Sequence, residues 1–157
     1  MDFQERLAKA IERGQHLSQQ EAQAKEQQAL SEEDFRRLHS KYRLPLTERI
    51  ESCLKRLPDH FPGFQYSTLM SDRGWGAAVS RDDVGPGRST FFSRLEVVVR
   101  PFASSHVLEI AAKGTIRNKE VYNRTQYQRL TEADPETFAN MIDLWVLEYA
   151  ELYAAKS

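Results

Sequence analysis

Cys53 is the only cysteine in 157 residues. One thiol excludes an internal disulfide and favours a reducing compartment such as the cytoplasm. No apolar run reaches the roughly 18 residues that a membrane-spanning helix needs, and the opening MDFQERLAKAIERGQ has no apolar centre of a secretory signal. Net charge is scarce too: −1, with a pI near 6.4. No global basic field therefore draws the chain to nucleic acid or anionic lipid. The histidines at 16, 39, 60 and 106 show no H-x3-H spacing, and Asp82-Asp83 lacks the alternating oxygen ligands of a calcium loop. No metal or other cofactor is expected.

Glycine is also sparse, seven in all, yet four stand in SDRGWGAAVSRDDVGPGRST, residues 71–90. A P-loop would need a glycine five positions before Gly87, where Asp82 stands, and a lysine where Arg88 stands. FFSRLEVVV follows, which reads as a strand, so the helix N-terminus that binds phosphate is missing. GWGAAV fails as a dinucleotide fingerprint because too few residues follow for a crossover helix. The glycines read as punctuation. Ser71-Asp72-Arg73-Gly74 suits a type I turn and Gly85-Pro86-Gly87-Arg88 a type II turn. Gly76 marks a bulge or close packing against an aromatic side chain. Arg81 to Thr90 forms a loop longer than a tight hairpin needs.

What the chain does contain is a hydrophobic fraction of 40%, enough at this length to bury a core without staples. Residues 3–29 lack proline and are rich in Ala, Gln, Glu and Lys, a helical composition. Their apolar positions, Phe3, Leu7, Ile11 and Leu17, are too few for a core helix, so residues 1–30 read as an exposed helical arm. Ser31 and Asp34 resemble a capping box opening a second helix to about Tyr42, which Pro45 stops. A third helix from about Leu46 to Leu57 carries the stripe Leu46, Ile50, Cys53, Leu54 and Leu57. Cys53 reads there as a small buried hydrophobe.

The period then changes. Residues 64–71, with Phe64, Tyr66, Thr68 and Met70 on one side, 74–80, 91–102, 106–117 and a weaker 120–130 alternate as strands. Short links predict an antiparallel meander, apolar on one face. Asp134 and Pro135 open a last helix whose stripe, Phe138, Met141, Ile142, Trp145, Tyr149, Leu152 and Tyr153, should lie across that face. The expected fold is α+β: N-terminal helices, a four- to five-stranded antiparallel meander and a long C-terminal helix across it. Residues 31–157 form one domain in this reading.

No catalytic constellation emerges. Glu96 and Glu109 on neighbouring strands are interleaved with Arg94, Arg100 and Lys113, which predicts cross-strand ion pairs. Arg94, Arg100, Lys113, Arg117 and Arg124, with Phe92 and Tyr122, invite comparison with an RNA-binding sheet. The signature of that module is absent, and the reading is against nucleic acid as a partner. Leu144 and Leu147 lie off the main stripe of the last helix. Unless helices two and three cover them, they form an interaction surface, and the arm's Phe3, Leu7 and Ile11 form another. The sequence thus favours a non-enzymatic module that docks a protein partner or self-associates. The alternative is a small-molecule pocket lined by Tyr66, Trp75, Trp145 and Tyr149 between sheet and last helix.

Overall fold

In the computed structural model residues 2–85, 87 and 89–156 are described, without the side chains of 27–30. Helix α1 runs Phe3–Leu54, the single turn α2 Leu57–His60 and helix α3 Pro135–Lys156. Between them lie β1 (Gln65–Ser71), β2 (Gly74–Val84), β3 (Thr90–Val99), β4 (Val107–Ile116) and β5 (Lys119–Arg129). The sheet order is β1-β2-β3-β4-β5 and each neighbouring pair is antiparallel, so the fold is an α+β meander. Two compact units divide the chain, 1–37 and 38–157.

In the first unit Phe3, Leu7, Ile11 and Leu17 are all exposed. The helix is supported locally, for example by Arg37 donating to Glu33 at 3.0 Å one turn away.

The break expected at Pro45 is absent: the three N-terminal helices are one, and Ser31 and Asp34 lie inside it. A proline within a helix costs about 3 kcal/mol, because one hydrogen bond goes and the ring crowds the preceding turn. Burial offsets this on both sides. His39 precedes the proline at 2% exposure, and Leu46 and Ile50 follow at 2% and 0%. Large apolar side chains contribute about 1.5–3 kcal/mol each when buried. The Thr47 hydroxyl also donates to the carbonyls of Arg43 and Leu44 beside the proline. Pro58 sits in the first turn of α2, where its missing N–H is harmless.

One sheet face carries the core. The register aligns Trp75, Ala77 and Val79 of β2 with Val99, Val97 and Leu95 of β3. Those in turn face Ile110, Ala112 and Gly114 of β4. Helix α3 packs on this face through Phe138, Ile142, Trp145, Val146, Tyr149 and Tyr153. Its start is capped as its sequence requires: Asp134 accepts from the Glu136 N–H at 3.1 Å and the Thr137 hydroxyl at 2.9 Å. The C-terminal part of α1 reaches the same face. Arg43 stacks over the Trp75 ring at 4.5 Å, and His39 Nε2 lies 3.0 Å from the Arg100 carbonyl. Burial holds His39 below its ordinary pKa, so the ring is neutral and its N–H donates to that oxygen. On the edge strand β1, Thr68 and Met70 are exposed although their register places them on the apolar face, because they lie beyond the helices' cover.

Glycines mark where elements touch. A Cβ on Gly76 would sit 1.9 Å from the Val97 carbonyl oxygen, so the close approach is made by backbone and not by an aromatic ring. The aromatic contact occurs at Gly114, whose added Cβ would meet Tyr149 at 2.8 Å. The β2–β3 ladder continues to Val84 opposite Thr90, which shortens the expected loop to 85–89. Gly87 has φ +73°, as the third place of a type II turn requires; Pro86 and Arg88 lie outside the described residues.

Gly76→Ala is expected to destabilise the fold by about 1–3 kcal/mol, since backbone cannot yield as a side chain does; a urea midpoint unchanged from wild type would contradict this. A chain beginning at Ser31 is expected to keep its melting temperature within a few degrees. An unfolded product would show that the exposed segment supports the core.

Candidate functional site

Arg49 and Cys53 on the C-terminal part of α1, Arg56 in the turn after it and His60 on α2 succeed one another at spacings of three or four residues. On α3, Asp143, Leu147 and Ala150 do the same. Where the two flanks meet, within residues 38–157, they line a groove of about 640 Å3. Its apolar side chains are Leu57, Phe61, Val146, Leu147 and Ala150; Arg56 adds a guanidinium and His60 an imidazole.

An ion pair ties the two helices together here. Arg49 Nε donates to Asp143 Oδ1 at 2.8 Å, and a second guanidinium nitrogen meets Oδ2. The Cys53 thiol donates to the same Oδ1 at 3.2 Å. Hydrogen bonding from Arg49 holds Asp143 below its ordinary value of 3.8. Burial first, then the hydrogen bond to Asp143 and its charge, push the Cys53 thiol up to about 11. A thiol so raised is protonated at neutral pH and a poor nucleophile. Cys53 is half-buried rather than enclosed, because its side chain turns to a carboxylate at the groove wall. The arrangement orders two helices and a groove; it is not a nucleophile with its base.

Leu144 and Leu147 are 46% and 66% exposed, so among the described residues of 38–157 the neighbouring helices leave them open. Leu147 lines the groove and Leu144 lies one turn away on the same ridge of α3. The four aromatic residues do not line this groove. Trp145 and Tyr149 are core at 2% and 1% exposure, with the Tyr149 hydroxyl donating to the Thr115 carbonyl. Trp75 lies under Arg43, and Tyr66 under Lys55 at 5.4 Å.

The opposite sheet face carries ion pairs, only partly the cross-strand ones expected: Arg94 and Glu96 pair along β3, and Lys113 pairs with Glu120 of β5 at 3.8 Å. Glu96 receives Arg94 at 3.1 Å and Arg73 at 3.4 Å, and Glu109 lies 3.9 Å from Arg100. The basic and aromatic residues that suggested an RNA surface do not share a face. Arg124 and Tyr122 pair with Ala112 and Gly114 on the helix-covered side, and Tyr122 is buried. Among the described residues, no group of three or more His, Cys, Asp or Glu is placed to hold a metal ion, and no helix is long and apolar enough to cross a membrane.

No family model matches the chain, and no curated protein or solved structure matches it.

The stability contributed by Asp143 has a defined sign. Its folded pKa is depressed, so the contribution is complete above the unfolded value and lost as pH falls below about 4 through the lowered one; screening at this half-exposed pair keeps it small. Asp143→Ala removes the anion and frees Arg49 beside the thiol. Cys53 is then expected to react faster with Ellman's reagent at pH 8, about threefold for each unit by which its pKa drops, because a larger thiolate fraction outweighs its lower nucleophilicity. An unchanged or slower rate would mean that Asp143 does not control the thiol.

Proposed function

We propose that this chain is a non-enzymatic protein-interaction module, working through the exposed side of α3 and the N-terminal helical arm. The observation that carries the reading is the pair Leu144 and Leu147, exposed beside an apolar-lined groove. Two large side chains on one ridge next to a concave surface form the kind of patch that marks a docking site. The arm supports it with Phe3, Leu7 and Ile11, exposed at 74%, 43% and 52%. These lie four residues apart along one helical stripe, the pattern of a partner-seeking surface.

A second reading, small-molecule binding, draws on the groove's volume, which falls in the range of ligand pockets. Its lining would be Leu57, Phe61, Val146 and Leu147 rather than the four aromatic residues.

A photo-reactive residue at 144 or 147 is expected to yield discrete adducts, with another protein or with a copy of this chain. The same group at Lys113, exposed on the far sheet face, should not. Leu144→Glu with Leu147→Glu should abolish the interaction while moving the melting temperature by no more than about 2 °C, as surface changes do. Equal crosslinking from all three positions would overturn the proposal.

A further inference from the structure

The docking reading of α3 leaves open what occupies the groove, and the charges around it discriminate. Residues 131–157 hold six acidic side chains and one basic. The opposite wall of the groove is basic, with Arg49 on α1 and Arg56 in the turn after it. Arg49 is already held by Asp143. Arg56 and Glu151 are both exposed, and neither belongs to an ion pair among the described residues. Glu151 stands one turn beyond Leu147 on the exposed ridge of α3. A patch with apolar centre, unpaired acid on one helix and unpaired base on the other is complementary to itself, which is the requirement of a twofold interface.

Resting on that reading, we propose that the occupant is a second copy of this chain, with α3 antiparallel to the partner's α3 about an axis near Leu147 and Glu151 of each copy against the partner's Arg56. Antiparallel pairing at Leu147 sets Leu144 against the partner's Ala150, a large residue over a small one. It also brings the partner's Glu151 to Asp143. That approach is tolerated because Arg49 already neutralises Asp143, and the Arg56 guanidinium, whose charge also acts on Asp143, lines the same groove to meet the incoming carboxylate. A small apolar ligand would leave Leu144 uncovered; a second α3 covers it.

The test is sedimentation of the full chain across micromolar concentrations. Wild type is expected to dimerise. Glu151→Arg alone and Arg56→Glu alone should each weaken the dimer about tenfold, because two symmetric attractions become repulsions. Mixing the two variants should restore dimer as a heterodimer, since every reversed charge then meets its opposite, a rescue that mere misfolding cannot produce. A monomeric wild type overturns the self-pairing, and so do weakened single variants whose mixture is no stronger than either. With a monomeric wild type, adducts from position 147 to another protein keep the docking reading. A dimer indifferent to Leu147→Glu removes α3 from both.

Discussion

The width of the sheet constrains everything built on it. Five strands at about 4.8 Å spacing present roughly 20 Å of surface, while packed helices lie 8–10 Å apart. One helix cannot cover the apolar face, so a second must lie beside α3. That place is taken by the C-terminal part of α1, which buries Leu46, Ile50 and Leu54. The need for a second cover explains why the helix persists through Pro45. It also explains why β1, at the edge, leaves Met70 81% exposed.

Two helices side by side on one sheet necessarily form a furrow on their outer side. Here the furrow is held by the Arg49–Asp143 pair, whose carboxylate also accepts from Cys53. The same pair quenches the charge of Asp143, while Arg56 on the basic wall joins no ion pair among the described residues. Apolar lining comes from residues that finish each helix's core-facing arc, Leu57 on one side and Val146 on the other, with Leu147 extending it outward. The surface proposed for docking is thus a by-product of how the core is covered.

The glycines illustrate how local pattern and tertiary contact divide the work. Gly87 is legible from its neighbours, since a Gly-Pro-Gly run demands a turn with positive φ at that place. Gly114 is not: it reads as one more alternating position, yet it makes room for the Tyr149 ring from a helix more than thirty residues away. Arg81 gives the same lesson. It reads as the start of a loop, but the ladder continues past it, and its guanidinium bonds Asp83 at 2.7 Å and the Pro62 carbonyl at 2.7 Å.

Period and punctuation in the sequence determined the meander, the capped α3, the buried stripe Leu46–Ile50–Leu54 and the exposure of Phe3, Leu7 and Ile11, because each is written in spacing over a few residues. Only the tertiary structure decided that α1 is continuous, that Leu144 and Leu147 are uncovered, and that Arg49, Cys53 and Asp143 meet. The first depends on burial outweighing a local proline penalty. The others depend on which helix flank faces which, across some ninety residues of chain, and no local periodicity encodes a distance of that kind.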